Sequence, residues 1–160
     1  MVEQAINWAQ SQRQEHLDQL KELLAIPSVS TQPEHQDDVI RAADWLAAHM
    51  WAIGLSEVGV YPTARHPVVY GHWTGASDAP TVLVYGHYDV QPPEPLELWH
   101  TPPFAPSVQE GNVYARGASD DKGQLFVHLK AVEAFMRTAG RLPINVKFLL
   151  EGEEEIGSPS

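Results

Sequence analysis

The sequence predicts an α/β fold in which a mixed, mostly parallel β-sheet is flanked by helices. Three segments carry apolar residues at helical spacing, and short runs of β-branched and aromatic residues lie between them. Two of these runs, residues 82–90 and 144–150, have histidine or acidic residues at their carboxyl ends. Ligands collect at that edge in open α/β sheets, so the pattern is typical of a domain with a site there. The length of 160 residues is enough for one domain with a substantial core.

The first two helices are predicted from their apolar spacing and from the residues at their ends. Residues 2–25 form one predicted helix, which Pro27 stops. Its apolar face consists of Leu17, Leu20 and Leu24. The second helix begins near Pro33 and ends at Gly54, where a left-handed cap is expected. Its apolar positions, which we expect to cover one face of the sheet, are Val39, Ala43, Leu46, Met50 and Ile53.

Short strands follow, with turn residues between them. Residues 58–61 and 67–70 form two predicted strands, and the apolar run that begins at Val82 predicts a third strand that is buried on both faces. Six of the thirteen prolines then fall within residues 91–106, which predicts an ordered loop beside the end of that strand. We expect Trp99 and Phe104 to fix this loop to the body of the domain. Long loops of this kind are often functional.

The last third of the chain predicts a hairpin, a helix and a strand. Residues 108–114 form the hairpin, with its turn at Gly111 and Asn112. The helix that follows ends at Gly140. Its apolar face consists of Leu125, Leu129, Val132 and Met136. The strand over residues 144–150 leads directly into an acidic run.

Composition excludes several classes of site and partner. The net charge is −11 and there is no basic cluster, which argues against nucleic acid and anionic membranes as partners. The chain has no cysteine, so a metal would have to be held by His, Asp and Glu. The first residues have neither the basic nor the apolar region of a signal peptide, and no apolar run approaches the length that spans a membrane. We therefore expect a cytoplasmic protein.

Three groups of candidate site residues follow predicted strands or loops. They are His87 with Asp89, Asp120 with Asp121, and the run from Glu151 to Glu155. Each group has a purely structural alternative: polar residues at a strand end, aspartates that cap the next helix, or a solvated acidic surface. All three follow strands, however, and parallel strands would bring them to one edge of the sheet.

An acidic cluster at one edge is suited to metal ions. Buried carboxylates are costly unless a cation neutralises them. A centre with two metals would use one imidazole per metal, carboxylates as further ligands and one bridging carboxylate. An orienting carboxylate usually accepts from the other ring nitrogen of a ligand histidine, and a carboxylate that binds no metal can act as general base. The spacing of His87 and Asp89, which places both side chains on one side of a strand, fits the first of these roles.

Three separated motifs resemble, in this order, those of the di-zinc aminoacylase and carboxypeptidase family. That family includes carnosinase-type dipeptidases, glutamate carboxypeptidase, acetylornithine deacetylase and succinyl-diaminopimelate desuccinylase. The motifs lie at residues 86–92, 116–123 and 151–158, and the proline-rich loop with Trp99 and Phe104 is most similar to the dipeptidase branch. The resemblance implies a phosphorylase/hydrolase-like zinc-peptidase catalytic domain. It also implies hydrolysis of the amide bond of dipeptides or N-acyl amino acids by an activated water.

The resemblance assigns a role to five residues of this chain. It implies that His87 binds one metal ion, that Asp89 orients His87 and that Asp120 bridges two ions. Glu154 would be the general base, and Glu155 would bind the second ion. The implied cofactors are two divalent ions, zinc by preference, with manganese and cobalt as alternatives. Seven histidines match no ligand position and are expected to be structural or surface residues: His16, His35, His49, His66, His72, His100 and His128.

The chain departs from the family pattern in its length. The resemblance implies two further metal ligands, a substrate-binding arginine, an oxyanion-stabilising histidine and a lid domain that forms the family's homodimer, and none of these matches residues 1–160. We therefore expect the N-terminal portion of a catalytic domain, with an apolar edge or face of the sheet uncovered, weak zinc binding and no activity alone. Two alternatives stay open: a non-catalytic remnant that serves as an interaction module, and an amidohydrolase of the deacetylase or desuccinylase type.

Overall fold

A computed structural model describes all 160 residues and contains four α-helices and six strands. The helices are α1 (Val2–Ser11), α2 (Arg13–Leu24), α3 (Gln36–Ala52) and α4 (Lys122–Ala139). The strands are β1 (Ser56–Tyr61), β2 (Val68–Trp73), β3 (Thr81–His87), β4 (Ser107–Gln109), β5 (Asn112–Tyr114) and β6 (Asn145–Glu151). Short 3₁₀ helices lie at Pro33–His35, Leu96–Leu98 and Glu154–Ile156. None of the helices has both the length and the apolar character that crossing a membrane requires.

Four strands form a mixed sheet in the order β1-β2-β6-β3. The predicted mixed sheet with flanking helices is confirmed, although only the β3–β6 pair is parallel, and the β1–β2 and β2–β6 pairs are antiparallel. The parallel part is smaller than expected because a short turn joins β1 to β2, and such a turn can connect only antiparallel strands. The chain passes from β3 to β6 through α4, a crossover that permits parallel pairing.

The N-terminal segment forms two helices where the sequence predicted one. Gln12 leaves the helical region, with φ −97° and ψ 12°. The Ser11 hydroxyl donates to the carbonyl oxygen of Trp8 at 2.7 Å, a local bond that competes with the helical pattern and favours a bend. The break allows α1 to pack against α4, where Ala5 is buried.

The helix α3 confirms its prediction. All five predicted apolar positions are buried, and the helix packs against β1 and β2. Gly54 has φ +94°, the left-handed conformation expected just after a helix end. The apolar face of α4 is likewise buried at Leu125, Leu129 and Val132, so α3 and α4 together cover one face of the sheet.

The strand β3 does not have the predicted burial on both faces. It is one of the two outer strands of the sheet, and Leu83 and Tyr85 are 58% and 54% exposed. Their side chains point away from α4, on a face that no helix covers. The register aligns Tyr85 with Leu149, which is also exposed, and we call this side of the sheet the open face. The prediction was wrong because an apolar run does not reveal where its strand lies in a sheet, whereas the expected uncovered apolar face is present.

The hairpin of β4 and β5 turns one residue earlier than predicted. Glu110 and Gly111 occupy the two turn positions, with φ +50° and +82°, and Gln109 pairs with Asn112. Positive φ at both central residues is typical of the tight turn that matches the twist of two paired strands.

The proline-rich loop is held by contacts among its own residues and with Arg116. The Trp99 indole N–H donates to the carbonyl oxygen of Pro93 at 2.7 Å. The Arg116 guanidinium lies 5.3 Å from the centroid of the Trp99 ring and donates to the carbonyl oxygen of Pro92 at 3.1 Å. Trp99 therefore holds the loop to its own first residues and to Arg116, and not to the body of the domain as predicted.

Candidate metal centre

The parallel pair β3–β6 brings two of the predicted groups to one edge. His87 is the last residue of β3, and it is aligned with Glu151, the last residue of β6. The helix α4 approaches this edge closely because residue 86 is glycine: a Cβ atom there would lie 2.8 Å from a carboxylate oxygen of Asp121. The end of β3, the start of α4 and the turn after β6 therefore lie together at this edge of the sheet.

The two ring nitrogens of His87 have different surroundings: Nδ1 faces Asp89, and Nε2 faces Asp120 and Glu154. Its Nδ1 lies 3.1 Å from the carbonyl oxygen of Asp89 and 3.4 Å from Oδ1 of the same residue. Its Nε2 lies 3.1 Å from Asp120 Oδ1 and 3.8 Å from Glu154 Oε2. Burial alone would lower the pKa of His87, but the hydrogen bonds and charge of Asp89 outweigh it and raise this pKa to about 9. Asp89 therefore fixes the ring and leaves Nε2 facing the other carboxylates.

Asp89 has a second function that the sequence did not predict. Its carboxylate is fully buried, and it accepts the backbone N–H groups of Glu154 and Glu155 at 3.2 and 3.0 Å. It also accepts the Ser30 hydroxyl at 2.7 Å. Burial would raise the pKa of Asp89, but these bonds and His87 outweigh it and lower this pKa. One carboxylate thus orients the imidazole and holds the turn that carries the two glutamates.

The two aspartates before α4 do different things. The predicted alternative of a helix cap is not realised, since the side chain of Asp121, the residue that precedes α4, makes no capping hydrogen bond. Asp121 Oδ2 instead accepts the backbone N–H of His87 at 3.1 Å. The Asp120 side chain is 73% exposed and faces His87 Nε2. The next residue, Lys122, turns away from the site and donates to the carbonyl oxygens of Leu23 and Ile26 at the end of α2.

The acidic run places Glu154 and Glu155 in a 3₁₀ turn directly after β6. Glu155 Oε2 accepts the Gln91 side-chain amide at 2.7 Å. One ligand atom from each of His87, Asp120 and Glu155 lies within 4.8 Å of the others, so this group could hold a metal ion. One imidazole nitrogen with two carboxylate oxygens is a donor set that suits zinc and similar divalent ions. Glu154 lies beside the group with its side chain 45% exposed.

The structure thus brings all five predicted site residues to one edge, which we call the edge cluster: His87, Asp89, Asp120, Glu154 and Glu155. Three supporting residues had no predicted role in it. Gln91 and Asp121 lie inside the motifs, but their partners follow only from the packing. Ser30 lies 59 positions from Asp89, and no local pattern in the sequence indicates that contact.

Comparison with known proteins identifies relatives of this chain. The sequence profile of peptidase family M20/M25/M40 matches residues 83–160. A cysteinylglycine-S-conjugate dipeptidase of Corynebacterium striatum is 34% identical over 151 residues, which are 91% of this chain and 32% of that protein. A Beta-Ala-His dipeptidase of Mus musculus is 33% identical over 171 residues, which cover 99% of this chain and 35% of the relative.

The solved structures agree with the sequence relatives. The crystal structure of human carnosine dipeptidase 1 superimposes with a TM-score of 0.91 at 31% identity, covering 99% of this chain and 36% of that one. The chain spans about a third of the length of the curated relatives it matches. The matches include Cys-Gly and carnosinase-type dipeptidases, the branch that the motifs predicted. The chain belongs to peptidase family M20/M25/M40.

Proposed function

We propose that this chain is the N-terminal portion of a metallopeptidase catalytic domain that hydrolyses the amide bond of dipeptides. The observation that carries the proposal is the group formed by His87, Asp120 and Glu155, with ligand atoms within 4.8 Å of one another and Glu154 beside them. The relatives named as dipeptidases support the same reaction.

In this proposal, three side chains hold two divalent ions, with zinc as the preferred metal and manganese or cobalt as alternatives. His87 Nε2 and Glu155 would each hold one ion, and Asp120 would contribute a carboxylate to both. The role of Asp120 is supported by its position 3.1 Å from His87 Nε2 and by the exposure of its side chain, which leaves the carboxylate accessible. When bound, such ions polarise a carbonyl group and make water acidic near neutral pH.

Glu154 is the proposed general base. Its carboxylate lies 3.8 Å from His87 Nε2 but outside the ligand group, so it is free to take a proton from the attacking water. The same carboxylate can return that proton to the leaving amine. Asp89 contributes by positioning, because it holds the His87 ring and the backbone of the turn at once.

The proposed substrate is a small peptide. Two relatives carry the names of Cys-Gly and Beta-Ala-His dipeptidases, which favours a dipeptide over an N-acyl amino acid. Three ligand residues are few for two ions, since catalytic zinc keeps about three protein ligands. We therefore include further ligands from a second chain or segment, and a family-type homodimer, in the proposal.

The open face supports a second candidate function, a non-catalytic interaction module. Leu83, Tyr85 and Leu149 expose apolar surface there, which is a common property of protein-binding surfaces. This candidate requires no metal ion, so metal binding separates the two functions.

Zinc titration of the purified chain tests the proposed site. We expect weak zinc binding that falls about 100-fold in His87→Ala and in Asp120→Ala, because each substitution removes a ligand. Asp37→Asn, at an exposed position of α3, is the matched control and should bind like the unsubstituted chain. Equal zinc affinity in all four proteins would contradict the metal centre and favour the interaction module.

The same protein tests whether the site is complete. We expect no dipeptide hydrolysis by the chain alone at saturating zinc. Hydrolysis that depends on zinc and is lost in Asp120→Ala would show that copies of this chain alone supply all the ligands that the site needs.

A further inference from the structure

One acidic residue of the turn after β6 faces inward, away from the edge cluster. Glu153 is 2% exposed, whereas the side chain of its neighbour Glu154 is 45% exposed. Glu153 takes part in no ion pair, and no role has been assigned to it. A buried carboxylate without a cation is costly unless hydrogen bonds satisfy it.

The contacts of Glu153 provide those hydrogen bonds through one oxygen. Its Oε1 lies 2.7 Å from the backbone nitrogen of His66, 2.7 Å from the Thr63 hydroxyl and 3.0 Å from the Ser160 hydroxyl, and it can accept from all three. The Thr63 hydroxyl also lies 2.7 Å from the carbonyl oxygen of His66, so the two acceptors share its single proton. Thr63 and His66 belong to the connection between β1 and β2, about 90 positions earlier in the chain. Glu153 therefore ties the turn to the connection that leads into β2, the strand next to β6 in the sheet.

The network continues from this connection to the edge cluster. The His66 ring donates from Nε2 to the carbonyl oxygen of Ser30 at 3.1 Å. The Ser30 hydroxyl donates to Asp89, which accepts the backbone N–H groups of Glu154 and Glu155. Hydrogen bonds thus hold the turn on two sides: Asp89 binds its backbone, and Glu153 anchors its first residue.

We propose that Glu153 is a positioning residue that fixes the turn carrying Glu154 and Glu155 by anchoring it to Thr63 and His66. It touches neither metal nor substrate in this assignment. The significance of the anchor for hydrolysis rests on the proposed function, whereas its effect on the turn does not.

The two oxygens of Glu153 make the proposal testable at a single position. Oε2 is buried and has no hydrogen-bond partner, so the amide nitrogen of a glutamine could replace it without losing a bond. Glu153→Gln should therefore keep the anchor, because Oε1 remains an acceptor for the same three donors. Glu153→Met has a similar length and no acceptor, so it should release the turn.

Amide hydrogen exchange of the metal-free chain, followed by NMR, is the decisive measurement. We expect the amides of Glu154 and Glu155 to exchange at least about tenfold faster in Glu153→Met and less than about threefold faster in Glu153→Gln. The amide of Leu46, inside α3, should be unchanged and reports on the global fold. Unchanged exchange of the turn in Glu153→Met would overturn the proposal. If that variant does not fold, Thr63→Val replaces it and should give a smaller acceleration of the same two amides, and no acceleration would count against the anchor.

Cobalt titration separates positioning from ligation. We expect the affinity for Co²⁺ to fall about tenfold in Glu153→Met, to change little in Glu153→Gln and to be largely lost in Glu155→Gln. A loss in Glu153→Gln as large as in Glu155→Gln would make Glu153 a ligand or a required charge and overturn the assignment. Absence of Co²⁺ binding in the unsubstituted chain would contradict the proposed function, and the exchange experiment would still decide the role of Glu153.

Discussion

Two clusters of charged residues in this molecule differ in how their charges are balanced. The first is the edge cluster. The second, the helix cluster, lies between α2, α3 and α4 and consists of His49, Lys130, Glu133 and Arg137. There the Lys130 ammonium is 2.7 Å from Glu133 and 2.9 Å from His49 Nε2, and Arg137 lies 3.5 Å from Glu133. The protein supplies its own cations in the helix cluster.

The edge cluster contains four carboxylates and a single histidine. No lysine or arginine forms an ion pair with any of them, and the nearby Lys122 is directed to carbonyl groups of α2. The difference teaches that a group of charged residues alone does not identify a site, because the charges of the helix cluster are balanced by one another. What identifies the edge cluster is a surplus of negative charge around the His87 ring. Its Nε2 lies among carboxylates, and no lysine or arginine balances their charge.

The largest expected effect concerns Glu154, the member of the edge cluster outside the ligand group. In an assembled form of the protein that hydrolyses dipeptides, Glu154→Ala should lower turnover by about 1,000-fold, the scale of a lost general base. Metal content should be retained, because Glu154 is not a proposed ligand. Steady-state kinetics and elemental analysis of one preparation measure both, and retained turnover would show that another group acts as base.

The next effect tests the helix cluster, whose role we predict to be purely structural. Lys130→Met should lower the free energy of unfolding by about 3 kcal/mol, because it leaves Glu133 buried without its closest cation. Urea unfolding followed by circular dichroism measures the change. Zinc affinity at the edge cluster should not change. A parallel loss of zinc affinity would mean that the two clusters are coupled and that the helix cluster is not purely structural.

A smaller effect should follow from weakening the positioning carboxylate. Asp89→Asn keeps the size of the side chain but removes the charge next to His87 and one acceptor for the turn. We expect zinc affinity to fall between about 10-fold and 100-fold, as for other residues that orient metal ligands. Calorimetric titration measures it, with Asp37→Asn as the control. An affinity equal to that of the control would exclude an orienting role.

The smallest effect is the part of the pH dependence of stability that comes from His49 in the helix cluster. Burial and the nearby Lys130 lower the pKa of His49 to about 4, so the folded chain keeps this ring neutral where the unfolded chain protonates it. The unfolded state then binds more protons between pH 6.5 and 4, and stability falls as pH decreases through that range. We expect His49 to account for about 2 kcal/mol of this loss. Depressed pKa values of His16 and Glu133 act in the same direction.

The variant His49→Gln isolates this contribution. Glutamine can still accept from Lys130 and does not titrate, so unfolding curves between pH 7 and 4 should be flatter in the variant than in the original chain. Identical slopes would mean that His49 is not protonated on unfolding in this range.

The parts of the fold that follow local rules were predictable from sequence. The buried positions of α3, such as Leu46 and Met50, repeat at helical spacing, and Gly54 supplies the conformation that ends the helix. The meeting of His87, Asp120 and Glu155 was predictable for a different reason: each follows a strand or begins a helix at the same edge.

What could not be predicted depends on contacts between distant segments. The apolar run of β3 is compatible with a central strand or an outer one, and only the strand order distinguishes them. The double role of Asp89 requires Ser30 and the turn at Glu154 to pack against it from opposite parts of the chain. The sequence predicted the contact of Asp89 with His87 because those two residues are close in the chain. It gave no indication of the contacts of Asp89 with Ser30 and with the turn.

The free edge of β3 also determines how the chain behaves when it is concentrated. An outer strand presents backbone N–H and C=O groups to any second strand, and Leu83 and Tyr85 add apolar surface beside them. Mutual repulsion from the net charge of −11 opposes this pairing. Added salt shortens the range of that repulsion to about 8 Å at 0.15 M and about 3 Å at 1 M. Colloidal stability should therefore be greatest in dilute buffer, and self-association should increase with ionic strength.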